Sequence, residues 1–153
     1  MRILTSITGV GDQRAWSTPL RELLWEWFAR PFHYAAVRRL RTAAQEQDLP
    51  ALSALLHPGV TVAVTAVHDG QEDTIVARGT RDAAPVLLHG FRGGPDVVVS
   101  EQAVNGQAGL AMTGRDGLDA LITVDFTGRL VSLVWVRLRP EHSHRGHAYW
   151  LAG

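Results

Sequence analysis

The hydrophobic repeat of this 153-residue chain changes period near Pro58. Before that point Leu20, Leu23, Leu24, Trp27 and Phe28 recur at the spacing of one helix face. After it Val60, Val62, Val64, Ala66 and His68 alternate with Thr61, Ala63, Thr65, Val67 and Asp69, the period of a strand. Helices first and strands afterwards have one economical solution, in which the helices cover one face of a sheet. The chain is predicted to be α+β.

Local signals place the elements. Thr18-Pro19 reads as an N-cap and first helical residue, and Pro31 is predicted to stop that helix, so an aromatic N-terminal helix is expected over 17–31. A second helix is expected from about His33 to Gln47, with Val37, Leu40 and Ala44 inward and Arg38, Arg39 and Arg41 outward. Asp48 can cap a short third helix containing Leu52, Leu55 and Leu56. Strands are predicted over Val60–Asp69, Thr74–Arg78, Val97–Val104, Gly109–Thr113, Leu118–Phe126 and Leu130–Leu138, with a helix over Ala83–Phe91 whose start Pro85 marks. Asp69-Gly70 and Asn105-Gly106 are turn pairs, because both central residues of a tight hairpin need positive φ. Residues 1–16 read as an arm, 17–140 as a single domain and 141–153 as a flexible tail.

Composition removes several chemistries. The chain has no Cys, hence no disulfide, thiolate nucleophile or Cys-ligated zinc. It has no Lys either, which excludes Schiff-base chemistry, pyridoxal phosphate attachment and the Walker loop. Net charge is zero, so no global field favours nucleic acid, and the Arg38, Arg39 and Arg41 cluster reads as a solvated helix face. No apolar run is long enough for a bilayer, and "MRILTSITGVGDQRAW" lacks the apolar core of a signal peptide; a soluble cytoplasmic protein without membrane contact is expected.

The segments "RTAAQEQDLPALSALLHPGVTVAV", "RG" before a helix, "AVNGQAGLAM" and "FTGRLVSLVWVRLRP" resemble the SnoaL-like domain of the nuclear transport factor two superfamily. The likeness is strongest to the version at the C-terminus of certain extracytoplasmic-function sigma factors, and it spans Val37 to Pro140. The resemblance implies a cone, a curved and mostly antiparallel sheet wrapped against helices with a pocket inside. It also implies a flat sheet face suited to a homodimer. Promoter recognition is not expected to carry over, since no sigma-factor DNA-binding motif is read ahead of the domain in these residues. The Asn-Pro-Asp-Lys-Leu-like run that such sigma tails carry is here "LRPEHSH".

In relatives of such a fold, carboxylates, histidines or tyrosines perform acid–base work on small apolar substrates, which requires a poised base and oxyanion stabilisation. The catalytic candidates are Asp125, Glu101 and His68; the ligand-binding candidates are Arg78, Trp135, Arg137 and Asp69. Asp125 shares the Thr123 face, which either lines the cone or looks outward near the Gly128 turn. Arg137 shares a face with Trp135 and needs a partner, and Glu101 is its expected mate. His89 falls in the interposed helix, and neither tyrosine, Tyr34 or Tyr149, lies on a predicted strand. His142, His144 and His147 read as adventitious metal ligands, so no metal and no cofactor is expected.

Three functions follow. The leading one is a non-catalytic regulatory module, a homodimer that binds a small apolar ligand or a protein partner. The alternative is a cofactor-free isomerase, cyclase, dehydratase or epoxide hydrolase. The third is an interaction module whose cone is filled.

Overall fold

The computed structural model describes residues 20–140 and Trp150, with side chains from Phe32 onward. Among the described residues there are nine elements, the first two expected helices being joined into one and Leu56 opening the first strand instead of closing a helix: α1 (Leu20–Gln45), α2 (Leu49–Leu55), β1 (Leu56–His68), β2 (Gln71–Arg78), α3 (Thr80–Arg92), β3 (Val98–Val104), β4 (Gln107–Gly114), β5 (Gly117–Thr127) and β6 (Leu130–Leu138). The six strands form one sheet in the order β2-β1-β6-β5-β4-β3. Neighbours are antiparallel except β1 and β6, which run parallel because the β3–β4–β5–β6 meander returns its last strand beside the first. Register shifts at Met112/Thr113 and Asp125/Phe126 bend β4 and β5, as bulges do, and curve the sheet around its helices. This is the curved α+β architecture of nuclear transport factor two-like and cystatin-like proteins.

The hairpin signals act as the sequence implies. Asn105 has φ 51° and Gly106 φ 76°, and Asp69 has φ 49° with Gly70 at 75°. Asn105-Gly106, between two apolar runs, is therefore a turn between β3 and β4. Asp48 caps α2 by accepting from the Ala51 amide at 3.1 Å.

Both proline expectations need correction. α1 does not stop at Pro31; one helix runs from Leu20 to Gln45. A proline removes one N–H and crowds one carbonyl, but it leaves the bonds on either side intact. Beyond it, Val37, Leu40 and Ala44, all at zero exposure, fasten the second half of α1 to the sheet. Likewise α3 begins at Thr80, not at Pro85, and carries Pro85 inside it. Pro85 and Arg81 are both exposed, so this stretch of α3 lies on the solvent side of the helix.

The core lies between the helices and one face of the sheet. Val60, Val62 and Val64 of β1, Leu110 of β4, Ile122 of β5 and Val134 and Val136 of β6 meet Leu40, Leu52, Leu87 and Phe91 in one cluster. Side chains with no accessible surface border no space that admits water. Leu40, Leu52, Leu87, Leu110, Ile122, Val134 and Val136 are all at 0%, so among the described residues the helix–sheet core around them is closely packed. α1 packs over β3 and β4, and α3 over β1 and β2. No described helix is long and apolar enough to cross a membrane.

Candidate functional site

The outer face of the sheet is built by the residues that alternate with the core. Cross-strand partners share a face, so the pairs Thr65↔Thr74, Ala63↔Trp135, Thr65↔Arg137, Thr123↔Trp135 and Leu121↔Arg137 lie on the side away from the helices. No described helix or strand lies over this face. Its centre is nevertheless ordered. Trp135 Nε1 donates to Thr65 Oγ1 at 3.0 Å, and Thr65 Oγ1 lies 3.0 Å from Thr74 Oγ1. The Arg137 guanidinium sits over the Trp135 ring, 4.0 Å from its centroid. Thr65 is only 6% exposed although it points away from the core, so the Trp135 and Arg137 side chains form a lid over it.

Polar satisfaction matters here. The indole N–H and the two hydroxyls are already bonded to one another, so little donor capacity at the centre is lost if this surface is covered. Leu121, Thr123 and Leu133 around it are half-buried, and Ala111 of β4 is buried. At one end of β5 and β6 an open cleft of about 420 Å³ continues the surface, lined by Leu118, Ala120, Leu121, Arg137, Leu138 and Arg139.

Asp125 lies on this outer face, opposite Leu133, and is exposed near the Gly128 turn. The Thr123 face therefore looks outward. Arg78 pairs with Thr61 at the end of β2, also facing outward and exposed, whereas Asp69 occupies the β1–β2 hairpin tip. His68 is half-buried at the hairpin end of β1. Trp135 and Arg137 are thus brought together, and Asp125 joins them on one surface; His68, Asp69 and Glu101 do not.

The expected Glu101–Arg137 pair is corrected by the sheet's parity. Glu101 pairs with Leu110, a core residue, and so faces the helices, on the opposite side from Arg137. Its partners are on α1. Arg41 donates to Glu101 Oε2 at 2.7 Å, and Arg38 Nε stands 3.4 Å from Oε1, within ion-pair range but outside hydrogen-bond geometry. Arg41 Nε is buried without a hydrogen bond. Two arginines read from sequence as a solvated face thus hold a carboxylate at the β3 end of the cone. Helical spacing supplied the missing signal, since Arg38 and Arg41 are three residues apart and both border the buried Val37 and Leu40 stripe.

Around the rest of the helix side, His33 stacks on Phe126 with ring centroids 4.6 Å apart, and Arg129 lies 6.0 Å from the Phe32 ring centroid. A shallow groove of about 350 Å³ between α1 and α2 is lined by Arg38, Arg39, Thr42, Ala43, Glu46, Asp48, Ala51 and Leu55. Among the described residues no group of His, Asp or Glu is arranged to hold a metal. The expected arm, the tail histidines His142, His144 and His147, Tyr149 and the side chains of the aromatic segment 17–31 lie outside the described residues.

No family model matches the chain, and no curated protein matches it in sequence. Solved structures do match it in fold. A steroid delta-isomerase from Pseudomonas aeruginosa is 18% identical, with 80% of this chain and 96% of that chain covered and a TM-score of 0.54. An NTF2-like protein of unknown function from Mesorhizobium loti is 13% identical over 72% of this chain and 93% of its own, also at 0.54. The extracytoplasmic function sigma factor SigJ of Mycobacterium tuberculosis is 22% identical, with a TM-score of 0.53; the match takes in 80% of this chain and 48% of SigJ. Such likenesses establish a shared fold and leave the activity to be argued from the site.

Proposed function

We propose that this protein is a non-catalytic, cytoplasmic regulatory module that works as a homodimer, with the outer face of its sheet as the contact surface. The observation that carries the reading is the Trp135 array: a large aromatic fixed by Thr65 and Arg137 on a sheet face that no described element covers. Preordered aromatics are favourable interface anchors, because little side-chain entropy remains to be lost on binding.

Charge placement favours a second copy as the occupant. Arg137 is opposite Leu121, whereas Asp125 is opposite Leu133, so the two exposed charges flank the Thr123↔Trp135 pair at opposite ends. A two-fold axis lying between two such faces and crossing the strands at Thr123 and Trp135 brings each Asp125 towards the Arg137 of the other copy. An isologous interface requires this kind of self-complementarity.

The alternative, cofactor-free acid–base catalysis, rests on Glu101 as the carboxylate beneath α1. Its ion pair with Arg41 and the closely packed helix–sheet core weigh against it, since a general base needs an accessible substrate within hydrogen-bond reach. Charge reversal tests the dimer. Arg137→Asp alone should weaken self-association about tenfold, and Asp125→Arg in the same chain should restore it. Failure of the double reversal to restore association would remove the proposed symmetry.

A further inference from the structure

Trp150 is the last described residue and is buried. It is 3% exposed and belongs to the core cluster, although it lies within the segment 141–153 that the sequence reads as a tail. Its ring lies edge-to-face against Phe91 of α3, with centroids 5.5 Å apart and planes at 70°. The contact with Gly90 is closer still. A Cβ placed on Gly90 would stand 2.1 Å from Trp150 Cε3, 2.2 Å from Cδ2 and 2.3 Å from Cζ3, so the six-membered ring lies directly on the helix backbone.

A glycine in a helix interior costs up to about 1 kcal/mol relative to alanine. Here it leaves a flat platform that no other residue would provide. The platform makes no demand specific to a peptide: it needs a flat, apolar, aromatic body with the thickness of one ring. Phe91 adds the edge-to-face wall, which favours π-systems over branched aliphatic groups.

We propose that the face of α3 at Gly90, walled by Phe91, is a binding site for a planar aromatic molecule of about indole size, and that the chain's own Trp150 occupies it in the unliganded protein. Ligand and Trp150 then compete for one seat, and binding expels an aromatic residue from the core. The seat is on the helix side, so the inference stands independently of the dimer surface.

The test uses the full chain labelled with 5-fluorotryptophan and read by fluorine NMR, with unlabelled indole as the probe. Trp150 is assigned by the resonance lost in Trp150→Phe. Indole should move the Trp150 resonance saturably towards its solvent-exposed position while the other four tryptophan resonances hold. A Trp150 resonance that stays put up to the solubility limit of indole would overturn the proposal. The affinity of indole for Trp150→Ala should exceed that for the native chain at least fivefold, because the competitor is gone. Equal affinities would place indole elsewhere and also overturn it. If Trp150→Ala is unfolded alone, indole should restore its near-ultraviolet circular dichroism, and absence of restoration counts against the seat. Gly90→Val in the Trp150→Phe background should abolish binding; retained binding would contradict the platform.

Discussion

The two faces of the sheet are made from the same strands, yet they solve different problems. On the central strands the helix-side face is valine, leucine, isoleucine and alanine at near-zero exposure, and Glu101 is held by Arg41 at the β3 end. The outer face carries Thr65, Thr74, Thr123, Trp135 and Arg137, half-buried or bonded to one another, with no described helix or strand over them. The first face has its organisation fixed by packing density. The second has it fixed by hydrogen bonds and one cation–π contact, as expected of a surface that must be stable when bare and lose little when covered. Chemistry suited to folding and chemistry suited to association are separated by the strand's two-residue period.

The contrast is broken most severely by truncating the core face. Ile122→Ala, at zero exposure, should cost about 2–5 kcal/mol in urea unfolding, whereas Leu121→Ala, its outward neighbour, should cost below about 1.5 kcal/mol in the monomer. Equal costs would mean that the outer face is part of the monomer's core. Next in size is Trp135→Ala, which should weaken self-association by about 2 kcal/mol or more, some thirtyfold, while costing the monomer clearly less than Ile122→Ala does, about 1 kcal/mol for the lost Thr65 bond and the Arg137 contact. A midpoint that falls as far as that of Ile122→Ala would make Trp135 a folding residue.

Much of this contrast was legible in the sequence, but not its direction. Alternation in Leu130–Leu138 gave β6 with its observed ends, and Asn105-Gly106 gave the β3–β4 hairpin because only a few residue pairs tolerate two positive φ values. Which set of alternating residues meets the helices depends on how the sheet packs, and a one-residue difference exchanges the faces. For that reason Asp125 could be read as lining the cone, and Glu101 could be matched with Arg137 across what proves to be the thickness of the sheet. The prolines misled for a related reason: Pro31 and Pro85 lower local helix propensity, but tertiary packing of the buried residues beyond them outweighs the loss. Gly90 was the overlooked signal. A glycine inside an amphipathic helix marks a close approach, and an aromatic tail residue is a natural partner for it.

Smaller effects sharpen the account. Glu101→Ala leaves Arg41 part-buried without its carboxylate, and should cost about 1–2 kcal/mol by chemical denaturation. In a double-mutant cycle with Arg41→Ala the two losses should be markedly less than additive. Strict additivity would show that the pair makes no net contribution. At the low end, Arg38→Ala should cost below about 0.5 kcal/mol, since its side chain is 69% exposed and its ion pair is screened.

The most direct test of the central claim is the sedimentation equilibrium of the native chain beside Trp135→Ala, from submicromolar to about 100 µM, a range that brackets ordinary dimer affinities. The account expects the native chain to approach twice its 16.7 kDa mass and the variant to remain near 16.7 kDa over most of the range. A native chain that stays at 16.7 kDa throughout, or a variant that associates as tightly as the native chain, would contradict it.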